Sequence, residues 1–337
     1  MRHISLGLLA SAGFLTLLFT QQADAGLITF GSGVNQFDME FVEIGDAGNL
    51  PDATGAPNPA GAVPYIYNMG KFEVSRDMIT KANRLGSLGI TMFDMSPYGG
   101  NGVDRPATGV NWNQAARFVN WLNTSEGYAP AYKFALQPGD GGYNANANIE
   151  LWTSADTLDY DASNPFRSLR ANYVLPSVDE WYKAAYYDPL SDTYFDYPNG
   201  SDLPPTAVAS GTTANTAVYN QTVSQGPADI MDAGGLSPFG IMALGGNVYE
   251  WEETSFDLSN SAVSSARGVR GGSWYASSVY LSSSNRFDVS PGFGSDSIGF
   301  RVASLSSTAT VPEPGSLVVW SAICVGGLCY RRRRVRK

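Results

Sequence analysis

Apolar side chains recur at helical spacing in three segments of the chain, and each segment begins after a residue that can cap a helix. The caps are Ser75, Asn111 and Ser177, whose side chains can accept a hydrogen bond from the first turn. Gln114 and Glu180 stand three residues after the second and third caps and complete a capping box at both. The pattern therefore predicts three main helices that start after these caps.

Outside these helices the apolar runs are short and are separated by Gly, Pro, Asn and Ser. Short strands are predicted over residues 37–42 and 65–68, whereas residues 125–172 are predicted to be mostly loop. From residue 188 onward no helical period is sustained, and the chain contains no internal repeat. Residues 26–303 are therefore predicted to form one compact α+β domain with three helices and much irregular structure.

Both ends of the chain carry an apolar run beside basic residues. Residues 1–25 have a basic start, an apolar stretch and small residues before Gly26, which is typical of a cleaved secretory signal peptide. An uncleaved anchor helix is the alternative interpretation. Residues 304–310 are predicted to be a short Ser/Thr-rich linker to the second apolar run.

The C-terminal tail resembles the PEP-CTERM sorting signal of exported bacterial proteins. Residues 311–337 contain a Pro-Glu-Pro box, an apolar membrane span over 316–330 and a cluster of arginines. The resemblance implies a sorting protease of the exosortase type, transient membrane anchoring through the tail, and delivery to the cell envelope or outer surface. The arginine cluster would stay in the cytoplasm and hold the domain outside. A permanent single-pass anchor is the alternative.

The charge of the domain excludes one class of partner. Of the 21 Lys and Arg residues seven lie in the two end segments, and of the 31 Asp and Glu residues two do. The part between these segments therefore has a net charge near −15, against −10 for the whole chain. An acidic surface of this kind repels nucleic acid and other anionic polymers.

Two residue types are missing from the domain. The only histidine is His3, and both cysteines, Cys324 and Cys329, lie in the C-terminal apolar span. The domain therefore has no disulfide, no thiolate nucleophile and no imidazole, which excludes Ser-His-Asp triads, Cys-His dyads and histidine-ligated metals. Carboxylate chemistry, oxygen-ligated cations and binding remain.

Several short motifs follow one another in an order that resembles the formylglycine-generating-enzyme (sulfatase-modifying factor) domain family. They occupy residues 67–75, 105–116, 175–185, 237–251, 270–274 and 298–301, and they include Gly246-Asn247-Val248-Tyr249-Glu250-Trp251 and Arg270-Gly271-Gly272-Ser273-Trp274. The resemblance spans residues 64–303 and implies a C-type-lectin-like fold that is often stabilised by calcium. Some members oxidise a cysteine with copper held by two cysteines, others pair the domain with an iron-binding module, and others only bind.

The chain departs from the catalytic members of this family at two positions that matter. Ala276 and Leu281 stand where the oxidases have their two cysteines, so no copper is expected. The histidines and the helical module of the iron-dependent members are also missing from the sequence, so no iron is expected. The fold is therefore expected to be kept without either known chemistry.

Calcium is the cofactor that the resemblance leaves open, as a structural ion. The resemblance implies Glu250 as a carboxylate ligand, the main-chain carbonyls of Gly246 and Val248 beside it, and Asn215 in a second site of this kind. Ala243 stands where many relatives have Asp or Asn, which removes one side-chain oxygen. The alternative interpretation is that Glu250 pairs with an arginine inside the domain.

The substrate cleft of the family would lie beside Trp274 and Tyr275, which makes them candidates for a ligand platform together with Arg286. The alternative is structural, because tryptophans in such motifs usually belong to the core, and Arg286 and Arg301 would then make internal contacts. Three acidic residues are expected to form a solvated face: Glu252, Glu253 and Asp257.

The leading hypothesis for function is an exported, surface-sorted, non-catalytic module that binds or structures an extracellular partner. The partner would be an extracellular polysaccharide or another envelope protein. The alternative is an extracellular enzyme of the same superfamily, either a carboxylate-based hydrolase or an oxidoreductase. Two carboxylates that face each other across one cleft, about 5–10 Å apart, would favour hydrolysis. An aromatic-lined cleft without such a pair would favour binding.

Overall fold

The computed structural model describes residues 26–305, and the three predicted helices are present within them. They are α1 (Arg76–Gly86), α2 (Trp112–Ser125) and α3 (Val178–Tyr186). Ser75 caps α1 by accepting a hydrogen bond from the Met78 main-chain N–H at 3.3 Å. Both α2 and α3 begin with a complete capping box. The capping residues in the sequence therefore set where each helix starts.

The strands of the described part are short and scattered along the chain. They are β1 (Gly26–Phe30), β2 (Phe37–Ile44), β3 (Tyr67–Gly70), β4 (Tyr173–Val174), β5 (Tyr187–Asp188), β6 (Thr193–Tyr194), β7 (Thr206–Ala207), β8 (Thr216–Ala217), β9 (Tyr249–Ser255), β10 (Arg267–Arg270), β11 (Phe287–Val289), β12 (Ile298–Gly299) and β13 (Ala303–Ser304). Short 3-10 helices cover Gly33–Asn35, Val223–Gln225 and Ser278–Leu281. The rest is turn and loop, including nearly all of residues 125–172, as the sequence predicts.

The first main sheet joins the two ends of the described chain. Its strand order is β1-β2-β3-β13-β4, and each pair in it is antiparallel. In β13, Ala303 pairs with Met69 of β3 on one side and with Val174 of β4 on the other. The last strand therefore lies inside the sheet rather than at its edge.

The second main sheet has the strand order β11-β10-β9-β12. Strand β9 is its longest member and pairs antiparallel with β10 and parallel with β12. The ladder between β9 and β10 is irregular between Arg267 and Val269, which is where a bulge would bend the pair. Its two longest strands, β9 and β10, together carry three glutamates and two arginines.

One large hydrophobic core joins the helices to both sheets. Four motif tryptophans are fully buried, and Trp121, near the end of α2, is half-buried. The buried four are Trp112, Trp181, Trp251 and Trp274. Each of their indole N–H groups has a hydrogen-bond acceptor, as a buried indole requires. The fold is thus a single mixed α/β domain with three helices.

The boundaries differ from the predicted ones at a few places. Strand β3 begins at Tyr67 rather than at residue 65, and β13 extends to Ser304. The main-chain N–H of Leu305 also donates to the carbonyl of Asn172 at 2.8 Å, so the domain continues past residue 303 into the predicted linker. The predicted signal peptide and sorting tail lie outside the described residues. Within residues 26–305, no helix is long and apolar enough to cross a membrane.

Candidate ligand-binding cleft

An open cleft of about 460 Å³ lies on the second sheet, beside the segment that follows β10. Ten residues line it: Tyr249, Val269, Tyr275, Ala276, Ser277, Tyr280, Phe287, Val289, Ser297 and Ile298. None of these ten residues is Asp, Glu, Lys or Arg, and the polar side-chain groups among them are tyrosine and serine hydroxyls. The cleft is therefore uncharged and mainly apolar.

Two glycines after β10 bring the aromatic segment over the sheet. Gly271 and Gly272 both have left-handed backbone conformations, with φ of 92° and 80°. Residues with a Cβ rarely adopt such conformations. A Cβ on Gly272 would lie 2.8 Å from Cδ1 of Leu281, so the Leu281 side chain would have to shift to admit one. The chain can therefore turn sharply and carry Tyr275 and Tyr280 to the cleft wall.

Four of the ten lining residues are aromatic, and three of their rings remain accessible. The ring centroids of Tyr249 and Phe287 are 5.8 Å apart in an edge-to-face arrangement, and those of Tyr280 and Phe287 are 5.6 Å apart. Tyr275, Tyr280 and Phe287 are 40%, 39% and 38% exposed, respectively. These rings thus hold one another in place while leaving surface free for a ligand.

Three hydroxyl groups and a carboxylate form a row along one side of the cleft. The Tyr275 hydroxyl bonds to Ser297 Oγ at 3.2 Å, and Ser297 Oγ lies 3.2 Å from Ser295 Oγ. Ser295 Oγ donates to Asp296 Oδ1 at 2.9 Å. Tyr275 and Ser297 line the cleft, whereas the other two residues are outside its lining.

The structure places the three predicted cleft residues differently. Tyr275 lines the cleft, whereas Trp274 is fully buried behind it with the two ring centroids 4.9 Å apart. Arg286 does not line the cleft. Its guanidinium bonds to Glu252 at 2.7 Å and to the carbonyl of Phe256 at 2.7 Å. Successive side chains on a strand point to opposite faces, so Phe287 of β11 faces the cleft and its neighbour Arg286 does not.

Glu250, the predicted calcium ligand, is fully buried and paired with Arg301. Arg301 Nη2 bonds to Oε1 at 2.5 Å and Arg301 Nε bonds to Oε2 at 2.6 Å. The indole N–H of Trp181 donates to Oε2 at 2.7 Å. The internal ion pair, which is the alternative to a calcium ligand, is therefore present, and the calcium site stays a prediction.

The other residues implied for calcium have structural surroundings of their own. Gly246 has a φ of 86°, and its N–H donates to the carbonyl of Gly271 at 2.7 Å. Val248 is fully buried, whereas Asn215 is exposed and accepts a hydrogen bond from Asn199. Within residues 26–305, no group of three or more His, Cys, Asp or Glu side chains is placed to hold a metal ion.

The prediction of a solvated acidic face is wrong for two of its three residues. Glu252 and Glu253 are fully buried, although Asp257 is exposed. Glu252 lies between Arg270, at 2.5 Å, and the guanidinium of Arg286. Burial of Glu252 is possible because Arg270 of β10 and Arg286, the residue before β11, neutralise its charge. The signal in the sequence was the series of arginines that follow β9, although Arg270 lies in a motif and Arg286 does not.

A second buried ionic cluster was missed in the sequence. Arg167, from the long loop, bonds to Glu180 and to Glu253, each at 2.8 Å. The hydroxyl of Tyr132 donates to Glu253 at 2.7 Å. Arg167 carries no motif signal of its own, because a loop arginine is expected to be solvated.

Glu73 is a buried carboxyl group that belongs to none of the ion pairs described above. Its Oε2 accepts a hydrogen bond from Asn247 at 2.6 Å, whereas its buried Oε1 has no hydrogen-bond partner among residues 26–305. Burial raises the pKa of Glu73 well above its usual value, and the nearby carboxylate of Glu250 raises that pKa further. Burial therefore disfavours the ionised form of Glu73 in the folded protein.

Comparison with known proteins identifies the domain. A family model described as the sulfatase-modifying factor enzyme 1-like domain matches residues 89–305, which is more than half of the chain. The chain belongs to this family. A search of curated proteins gave no significant match.

Solved structures of the same fold include two that cover most of the chain. The Treponema denticola variable protein 1 is 21% identical, with a TM-score of 0.57, and the match covers 83% of this chain and 99% of that one. CarF is 19% identical, with a TM-score of 0.55, and the match covers 80% of this chain and 99% of that one. At these identities the likeness shows the shared fold.

Two side chains of this sulfatase-modifying factor domain stand where the resemblance places the cysteines of the oxidases. Ala276 lines the cleft, and Leu281 is fully buried at the end of the 3-10 helix Ser278–Leu281. A methyl group and an isobutyl group therefore occupy those positions. Neither can bind a metal ion or act as a nucleophile.

Proposed function

We propose that this member of the sulfatase-modifying factor family is an exported, surface-displayed, non-catalytic module that binds an uncharged partner outside the cell. The observation that carries the proposal is the contrast between the cleft and the rest of the domain. The cleft is lined by four aromatic rings and no charged side chain, in a domain whose net charge is near −15. Its partner is thereby selected by shape and apolar contact.

The chemistry of the lining supports an uncharged partner. A charged group that enters the cleft would lose part of its hydration without finding an opposite charge among the lining residues. Exposed aromatic rings instead contribute apolar contact area at a small loss of conformational entropy, which is why they dominate binding surfaces.

The side chains at the cleft also support a non-catalytic role. Ala276 and Leu281 provide no thiolate, and burial raises the pKa of the Tyr249 phenol above its usual value. That phenol therefore stays protonated at neutral pH and acts neither as a base nor as a nucleophile. We expect the copper-treated chain to leave a sulfatase-type cysteine peptide unoxidised, and formylglycine detected by mass spectrometry would contradict this.

A carboxylate-based hydrolase is supported less well. Hydrolysis of this kind uses two carboxylates that face each other across the reacting bond. None of the ten lining residues, all within residues 26–305, is Asp or Glu. The carboxylate nearest in the hydroxyl row, Asp296, already accepts from Ser295 at 2.9 Å and has no partner across the cleft among those lining residues.

The export part of the proposal is supported by the two ends of the sequence. Residues 1–25 have the pattern of a signal peptide, and residues 311–337 have the pattern of a PEP-CTERM tail. A sorting protease of the exosortase type would act on the tail, and the acidic domain would stay soluble at the envelope. The partner would then be an extracellular polysaccharide or an envelope protein.

The experiment compares the purified full chain with the variant Tyr280→Ala/Phe287→Ala, each immobilised and exposed to separate polysaccharide and protein fractions of the cell envelope. We expect one fraction to bind the wild type and to bind the variant at least about tenfold more weakly, because two anchoring rings are removed. Tyr128→Ala, which removes a half-exposed ring outside the cleft, is the matched control. Equal binding to wild type and cleft variant would overturn the proposal, provided that both melt at similar temperatures.

A further inference from the structure

The row of hydroxyls beside the cleft has a fixed hydrogen-bond direction. Each serine or tyrosine hydroxyl has one proton to donate, and an ionised carboxylate can only accept. Ser295 Oγ therefore gives its proton to Asp296 at 2.9 Å. The bond between Ser295 and Ser297 then requires the proton of Ser297, and the bond between Ser297 and Tyr275 requires the proton of Tyr275.

The consequence is that Tyr275 presents an acceptor to the cleft. Its single proton points inward along the row, so its oxygen offers only lone pairs to an incoming group. Tyr275 is 40% exposed and lines the cleft, so a ligand can reach this side chain. A bound ligand must therefore supply an O–H or N–H donor at this point, or leave a polar oxygen unsatisfied.

The aromatic rings in the rest of the cleft wall require that the same ligand also has an apolar face. Tyr280 and Phe287 offer accessible ring surface next to Tyr275. A group that packs against them needs an apolar face, and the uncharged lining disfavours a net charge. The ligand must therefore combine an apolar face with a hydroxyl-type donor and carry no charge.

We propose that the ligand of the cleft is a neutral saccharide, whose C–H face packs on Tyr280 and Phe287 while one sugar hydroxyl donates to the oxygen of Tyr275. A sugar ring has both features within a few ångströms, whereas an aliphatic side chain lacks the donor and an acidic polysaccharide carries charge. The inference rests on the proposed function and specifies the partner of the same cleft.

The test uses the purified full chain and a set of neutral oligosaccharides built from glucose, galactose, mannose or N-acetylglucosamine. Tyr275→Phe removes the acceptor oxygen and keeps the ring. We expect it to weaken binding of the preferred sugar about three- to tenfold, as for the loss of one neutral hydrogen bond. Tyr128→Phe removes a phenol oxygen elsewhere and should leave binding unchanged.

Sugar analogues then test the direction of the bond. At one ring position, replacing the hydroxyl by hydrogen or by fluorine should weaken binding to the wild type equally, because fluorine cannot donate a proton. Neither replacement should matter further in Tyr275→Phe. A fluorine analogue that binds the wild type as well as the parent sugar does would show that Tyr275 donates, which would overturn the assigned direction.

The outcomes separate this inference from the proposed function. If only an envelope protein binds the cleft, and Tyr280→Ala/Phe287→Ala abolishes that binding, the saccharide inference fails and the binding function stands. If neither sugars nor proteins bind in a way that depends on those rings, the proposed function fails as well. Sugar binding that is lost in the double variant and reduced in Tyr275→Phe supports both.

Discussion

The interior around β9 contains buried charged side chains, whereas the lining of the cleft beside it contains none. Along the strand, Glu250, Glu252 and Glu253 are fully buried and are held by arginines at 2.5–2.8 Å. In the cleft, exposed aromatic rings meet solvent and no charged residue belongs to the lining. Buried charges that need specific partners restrict which arrangement of strands is possible. Uncharged aromatic rings need no such partners, so their arrangement can be adapted to a ligand.

The largest expected effect comes from removing the arginine that pairs with one of the buried glutamates. Arg301→Met should destabilise the domain by about 3–5 kcal/mol, because Glu250 is left buried without its guanidinium. Urea unfolding of the full chain would measure this. Removing both charges in Glu250→Gln/Arg301→Met should recover part of the loss.

The matched control is Lys81→Met, which breaks a half-exposed ion pair with Asp77 on α1. Its expected effect is about 0.3–0.5 kcal/mol. If Arg301→Met changes stability no more than Lys81→Met does, the interior ion pair does not support the fold in the way described.

The pH dependence of the folding stability tests the buried carboxyl group of Glu73. Its pKa is raised in the folded state, so the folded protein binds more protons than the unfolded chain above pH 4–5, and stability should fall as pH rises. Glu73→Gln, which stays neutral, should not show this loss. The stability difference should therefore grow with pH in favour of Glu73→Gln, by up to about 1.4 kcal/mol per pH unit.

Unfolding by urea from pH 5 to pH 8 would measure the effect in wild type and variant. The groups that face Glu73 are Glu250, Arg301 and Asn247, and none of them is changed by the substitution. Glu126→Gln, at an exposed position after α2, should run parallel to the wild type. Parallel curves for Glu73→Gln would mean that Glu73 is ionised in the folded protein.

The cleft can be tested by adding the charge that it lacks. Ser277 lines the cleft and precedes the 3-10 helix Ser278–Leu281, a position where Asp is well tolerated. Ser277→Asp should therefore leave the melting temperature nearly unchanged but weaken binding of a neutral partner, about tenfold or less. Ser277→Asn has nearly the same shape without the charge and should bind better than Ser277→Asp. Equal binding by the two variants would show that charge is irrelevant there.

The smallest expected effect concerns calcium. An ion at Glu250 would have to draw the carboxylate away from Arg301 and Trp181, which both bond to it. Such competition leaves room for only a small rise in melting temperature. Melting curves in calcium and in chelator would detect the rise, and Glu250→Gln should remove it. No shift in the wild type would leave Glu250 solely as the partner of its arginine.

Local signals in the sequence predicted the helices well because each start is set by its own neighbours. Ser75, Asn111 and Ser177 cap the helices through contacts within the first turn, so nothing distant is needed. The motifs likewise indicated the family and its mixed fold. The position of Tyr275 beside a cleft followed from the resemblance rather than from any local pattern.

The ionic interior could not be predicted in the same way. Whether Glu252 is solvated or buried depends on Arg270 and Arg286, which reach it only after β9, β10 and β11 have come together. The same is true of Arg286 itself, whose direction depends on the alternation along β11. Even the hydroxyl row needs the turn after β10 and the segment before β12 to meet. These features depend on tertiary contacts, which local sequence does not report.

The position of strand β13 also has a consequence for when the protein can fold. Because Ala303 pairs with both Met69 and Val174, the first sheet cannot close until the very end of the domain is present. If the chain is exported with its N-terminus first, as proposed above, this sheet would stay open until Ser304 has crossed the membrane. Folding would then coincide with the end of transport, so an interrupted chain would remain incomplete and open to proteases.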